Sequence, residues 1–121
     1  MKVRLAGTRI PQGPTIEVER GQTYNRRARE YLTELIKDGV VDLKAYGVDE
    51  KDCILAEMYF GEMNINLEMI RAGVVIVDRV ESPAALDLQP YLRVEEEARE
   101  AQRGVWRTFS LTPNHTVGNN P

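Results

Sequence analysis

Residues 90–106 read PYLRVEEEAREAQRGVW, the most strongly patterned stretch of this 121-residue chain. Leu88, Tyr91, Leu92, Val94, Ala98 and Ala101 recur at three-to-four spacing, with Glu95 as the one polar exception, which predicts a helix over residues 88–103 with one face toward a core. Gly104 closes it, and Val105-Trp106 is expected to fold back as an apolar anchor, with Trp106 plugging the end of the core. Upstream, residues 74–79 read as a strand. Before them lies a short helix carrying Ile65, Leu67, Met69 and Ile70, capped by Asn64 or Asn66 and stopped by Gly73. Residues 40–46 and 53–60 read as two strands joined by GVDEKD in a hairpin-like connection. A third helix is expected from Thr23 as N-cap, through Tyr24, Ala28, Tyr31, Leu32, Leu35 and Ile36, to a left-handed stop at Asp38-Gly39. Residues 2–7 alternate as a strand with Val3 and Leu5 on one face. Residues 8–13 form a loop, and TIEVE at 15–19 is a short strand or an extended arm. The order predicts an α+β fold with three helices in one domain, residues 1–107, followed by a polar tail, residues 108–121.

The composition is that of a soluble globular domain, with 42% hydrophobic and 29% charged residues in 13.8 kDa. Collagen-like, mucin-like and wholly disordered chains are excluded. The longest apolar stretch, residues 72–77, is far short of the roughly 20 residues of a membrane span, so no membrane partner is expected. The opening MKVRLAGTRIPQ lacks the apolar core of a signal peptide, and Cys53 stands alone. A cytoplasmic setting is the reading that follows. One Cys and one His (His115, without a neighbour of matching chemistry) cannot build a structural zinc site, and no cofactor is called for. The net charge of −3 argues against a generic nucleic-acid binder. Yet residues 1–31 hold seven cations (Lys2, Arg4, Arg9, Arg20, Arg26, Arg27, Arg29) against Glu17, Glu19 and Glu30, a net of +4. A basic surface on an acidic protein is therefore available.

Five blocks in order, VRLAGTRIPQ (3–12), AREYLTELI ahead of Asp38-Gly39, DEKDCILAEMYF (49–60), NLEMIRAGV (66–74) and PYLRVEEEAREAQRGVW (90–106), resemble the staphylococcal-nuclease-like (thermonuclease) domains. That resemblance implies an OB-fold-like barrel of five strands carrying helices. It also implies a nuclease chemistry in which a calcium ion, a carboxylate base and two arginines act on a phosphodiester. Carried over residue by residue, the first arginine falls on Arg4. The metal-binding aspartate of the same loop falls on Arg9, its neighbouring threonine on Ile10, the proline on Pro11 and the catalytic glutamate on Gln12. The second arginine falls on Cys53, where Lys51-Asp52-Cys53 replaces a Tyr-Gly-Arg. The other metal-binding aspartate belongs to a hairpin of two strands ahead of Val3, which a chain starting at Met1 lacks.

Of the two metal carboxylates, the base and the two arginines only Arg4 is kept, so the expectation is a catalytically inactive member with no metal site. Gln12 is a far poorer base than a carboxylate. Arg9 places a cation where a divalent ion should sit, a repulsion on the order of 4 kcal/mol per unit charge at ~4 Å and an effective dielectric of about 20. The expected role is a binding or assembly module, with Arg4, Arg9, Arg26 and Arg27 as phosphate-binding candidates for weak nucleic-acid binding. The alternative is an active metal-dependent phosphodiesterase completed by a partner or an upstream segment. A third reading is a protein–protein module without phosphate affinity. Asp49, Glu50, Asp52 and Glu57 form a substitute carboxylate set if the hairpin gathers them, and Cys53 otherwise reads as a small buried hydrophobe. Tyr46 and Tyr59 are candidates for base stacking. A barrel without its leading hairpin exposes sheet edges, with Leu5, Leu43 or Ile54 against water. A homodimer through those edges is therefore expected, unless the arm at 15–19 closes the sheet.

Overall fold

The computed structural model describes residues 3–11, 17–37 and 39–110, with side chains over 3–11, 26–37 and 39–107. Along the chain run β1 (Val3–Leu5), β2 (Thr8–Arg9), α1 (Glu17–Ile36), β3 (Asp42–Val48), β4 (Ile54–Phe60), β5 (Met63–Asn64), α2 (Ile65–Arg71), β6 (Ile76–Val77), α3 (Gln89–Glu100) and α4 (Val105–Ser110). β4 is the central strand. β1 lies parallel on one side of it, pairing Val3 with Ile54 and Leu5 with Ala56. β3 lies antiparallel on the other side, and β5 doubles back on the end of β4. β2 and β6 form a separate antiparallel pair. The fold is α+β, and the sheet is open, in the order β1-β4-β3.

The core gathers Ile65, Met69 and Ile70 of α2, Tyr91 and Val94 of α3, and Ala6, Val75, Val77 and Leu86 from the connecting segments. Asn64 caps α2 by accepting the Leu67 N–H at 3.1 Å. Asn66 does something else. Fully buried, its Nδ2 donates to the carbonyls of Ala6 (2.8 Å) and Ala56 (3.1 Å), and its Oδ1 accepts the Met58 N–H at 3.0 Å. One amide thus fastens α2 to β4 and to the end of β1, satisfying backbone groups that would be costly to bury alone. Gly7 follows with φ +81°, and a Cβ there would lie 2.8 Å from the Tyr91 ring. A glycine is needed for both the conformation and the close approach of α3.

Glu57 of β4 is 7% exposed and collects three hydroxyls and an amide. Tyr91 donates at 2.7 Å, Tyr46 at 2.8 Å, Tyr59 at 3.3 Å and the Asn64 Nδ2 at 3.3 Å. Burial pushes its carboxyl up, but these donors, Tyr91 first, outweigh that and hold it below the usual range. The Tyr91 phenol moves the opposite way, raised by burial and then by its bond to Glu57. On α3, Glu95 is also buried, accepting the Val77 N–H at 2.9 Å and the Arg79 guanidinium at 2.5 Å, which ties α3 to β6.

Several expectations are corrected. α1 begins at Glu17, so Thr23 lies inside the helix and Glu17 to Glu19 are helical rather than extended. Five alternating residues are a weak strand signal, and glutamates at 17 and 19 favour a helix N-terminus. Residues 15 and 16, and Asp38, lie outside the described residues; the left-handed turn after α1 is taken by Lys37, at φ +44°. Among the described residues there are four helices where three were expected, since Val105–Ser110 forms α4. β6 holds two residues rather than six, because Asp78 bends the chain by accepting the N–H groups of Val80 (3.0 Å) and Glu81 (2.9 Å). Val105, at 1% exposed, is the buried anchor, whereas Trp106 is half-buried beneath Arg99, 5.4 Å from its ring. β3 starts two residues later than expected, and Val40 is left 87% exposed. His115 and residues 111–121 of the expected tail lie outside the described residues.

Replacing Glu57 by Gln should lower unfolding free energy by on the order of 2–4 kcal/mol, and Tyr91→Phe by about 1–3 kcal/mol, measured by urea denaturation. A carboxyl whose folded pKa is depressed stabilises fully above its unfolded value of about 4.3 and loses that contribution as pH falls through the folded value. The urea midpoint of the parent chain should therefore drop more between about pH 5 and pH 3 than that of Glu57→Gln.

Candidate functional site

Arg4 sits mid-strand in β1, opposite Leu55, and its guanidinium bonds Asp49 Oδ2 at 3.1 Å. Asp49 organises the β3–β4 turn. Its Oδ1 accepts the N–H groups of Lys51 (2.8 Å) and Cys53 (2.9 Å), and its own N–H donates to the Cys53 carbonyl. The Cys53 N–H, opposed by partial burial and joined by the Lys51 N–H and Arg4, holds the Asp49 carboxyl below the usual range. Arg4 is nevertheless 42% exposed and stands at the junction of two clefts. One, of about 480 Å³, is lined by Arg4, Asp49, Glu50, Lys51, Cys53 and Glu81. The other, of about 490 Å³, carries Arg4, Arg9, Arg29, Asp78 and Glu81 over an apolar floor that includes Leu32 and Met69.

Arg9 reaches this cleft because β2 pairs with β6, Arg9 opposite Ile76, while Ile10 packs on the core and Pro11 is buried. The Asp78 N–H donates to the Gly7 carbonyl at 2.9 Å, which brings the loop carrying Glu81 alongside β1. Arg26 and Arg27 line a different, wider groove of about 810 Å³ along α1, with Glu30, Glu34 and Lys37. The four arginines singled out from the sequence are therefore split two and two. Arg29 lines both openings and joins them. Its spacing of three from Arg26 on one helix was the available signal. Asp78 and Glu81 had no such signal, because the loop contact that delivers them is long-range.

Among the described residues, no group of three or more His, Cys, Asp and Glu side chains lies close enough to hold an ion. Asp49, Glu50, Asp52 and Glu57 are not gathered: Asp49 is spent on the turn and on Arg4, Asp52 lies in the turn at φ +63°, and Glu57 belongs to the tyrosine cluster. The hydroxyls of Tyr46 and Tyr59 are likewise committed to Glu57. Cys53 is 8% exposed, a small buried side chain. Gln12 lies outside the described residues.

The pattern of the staphylococcal nuclease homologues matches residues 2–108. The chain belongs to this family. A probable endonuclease LCL3 of Leptosphaeria maculans is 31% identical over 117 residues, covering 92% of this chain and 39% of that protein. An uncharacterized endonuclease of Haemophilus influenzae is 29% identical over 106 residues, covering 88% of this chain and 53% of that protein. A second probable endonuclease LCL3, of Phaeosphaeria nodorum, is 30% identical over 117 residues. The chain thus spans about two-fifths to one-half of the length of these relatives. The calcium implied by the family does not fit the described residues: Arg9 lines the cleft beside only two acids, Asp78 and Glu81, of which Asp78 already accepts two main-chain N–H groups. No helix among the described residues is long and apolar enough to cross a membrane.

Because Asp49 competes with any anion for Arg4, Asp49→Asn should tighten binding of a short oligonucleotide several-fold. The amide oxygen still accepts the two turn N–H groups, and the lost charge frees the guanidinium. Fluorescence anisotropy at low salt reads this; unchanged affinity would mean that Arg4 does not face the bound phosphate.

Proposed function

We propose that this domain is a catalytically inactive binding module that holds phosphate groups of nucleic acid without a metal ion. The observation carrying the proposal is the cleft shared by Arg4, Arg9 and Arg29, whose acids are Asp78, tied to main-chain N–H groups, and Glu81, while Asp49 in the adjoining cleft is likewise tied to its turn. Phosphodiester hydrolysis needs a base to prepare the water and a cation to offset the developing charge. The arginines supply the second requirement; Asp78 is spent on its turn, and the reading requires that Glu81, exposed at the same cleft, does not supply the first. Arg26 and Arg27 extend the basic surface along α1, so that a strand leaving the cleft past Arg29 meets further cations. A cytoplasmic setting and self-association through sheet edges are parts of the same proposal.

The endonuclease names of the relatives favour a second reading, a metal-dependent phosphodiesterase whose missing ligands come from a partner or another segment. One experiment separates the two. Labelled single-stranded oligonucleotide is incubated with the protein in EDTA, calcium, magnesium or manganese, and both anisotropy and cleavage are followed. The proposal predicts weak binding that survives EDTA and no cleavage under any condition. Binding should weaken steeply with salt, with a log–log slope of about −0.7 for each phosphate neutralised, and Arg9→Ala should reduce that slope by roughly one contact. Metal-dependent cleavage lost on Arg4→Ala would establish the second reading instead.

A further inference from the structure

β3 is an edge of the open sheet, and among the described residues no strand pairs with its outer side. Its residues Asp42 to Ala45 are all exposed, with Leu43 at 43%. An exposed edge with an apolar side chain invites main-chain pairing. Resting on the assembly part of the proposed function, we infer that this edge pairs with the same edge of a second copy, antiparallel about a two-fold axis through Leu43.

The register follows from charge and pleat. A two-fold axis perpendicular to the sheet keeps each side chain on its own face, so directly opposed residues must share a face and the axis must pass through a residue. Centred on Asp42 or on Lys44, the ladder would set like charges directly against each other, which is destabilising. Centred on Ala45, it would run across the irregularity in β3, where the pairing with β4 skips from Ala45 to Gly47. Centred on Leu43, every pair is compatible. Leu43 meets its symmetry mate on one face, and on the other Asp42 of each copy lies opposite Lys44 of the second, giving two equivalent ion pairs. The ladder stays on the regular part of β3, ahead of the skip. Two short strands bury little surface, so the dimer is weak and concentration-dependent.

Sedimentation velocity without nucleic acid, from micromolar to near-millimolar protein, should show a monomer–dimer equilibrium. Asp42→Lys and Lys44→Asp should each shift it to monomer by at least ten-fold in dissociation constant, while the double exchange should restore the dimer, since it re-forms both opposite-charge pairs in this register alone. Thermal melts of each variant monitor the fold. In a Cys53→Ala background, Leu43→Cys should oxidise to a covalent dimer, because residues paired across an antiparallel ladder fall within disulfide range, and Ala45→Cys should not. A chain monomeric throughout, or one cross-linked through residue 45 rather than 43, overturns the inference. A monomer that still binds oligonucleotide would overturn it while leaving the phosphate-binding reading intact.

Discussion

Strand β4 can occupy the centre of this fold only if its main chain is satisfied at both margins, and the amide of Asn66 completes that condition where the strands run out. Beyond Leu5, the carbonyl of Ala6 would face the interior without a partner; Asn66 takes it, together with the carbonyl of Ala56, and returns an acceptor to Met58. The same three bonds fix α2 against the sheet. Loss of this side chain would leave the Ala6 carbonyl and the Met58 N–H unpaired, each costing about 1–3 kcal/mol, while the Ala56 carbonyl keeps the Ala6 N–H. The parallel ladder with β4 sets the position of β1, and hence of Arg4, and this contact secures its end.

Charge is then distributed in two separate places with opposite outcomes. On one side of β4, Glu57 is enclosed by Tyr46, Tyr59, Tyr91 and Asn64, and its negative charge is stabilised by donors rather than by a cation. That carboxylate is structural. At the end of the sheet, Arg4, Arg9 and Arg29 line an open cleft whose Asp78 is bonded to a turn, as is Asp49 in the adjoining cleft. A site built this way attracts anions and can orient them, since guanidinium groups match phosphate geometry. Of its lining carboxylates, Asp78 is bonded to a turn, and Glu81 stands exposed with no side-chain bond among the described residues.

Helical periodicity made α2 and α3 readable, because their buried faces repeat every three to four residues over a stretch that nothing interrupts. The β3–β4 hairpin was readable from two apolar-rich runs flanking GVDEKD, although neither strand alternates in burial. The start of α1 was not, since Glu17-Val18-Glu19 satisfies a strand pattern and a helix pattern equally over three residues. Asn66 could be seen only as a cap, because its real partners are at residues 6, 56 and 58. Arg4 and Arg9 were found through the resemblance, whereas the ion pair with Asp49 depends on where the hairpin tip lands beside β1. Long-range pairings such as this, and the delivery of Glu81 by the loop after β6, leave no periodic mark in a sequence.

The central claim is that arginines, rather than a bound metal, hold an anion in the cleft. Nuclear magnetic resonance of the guanidinium Nε–H groups tests it at the atoms concerned. A short single-stranded oligonucleotide titrated in EDTA should shift the Nε–H signals of Arg4, Arg9 and Arg29, and later addition of calcium should leave the shifted spectrum unchanged. Signals that stay fixed in EDTA and move only once calcium is added would contradict the account.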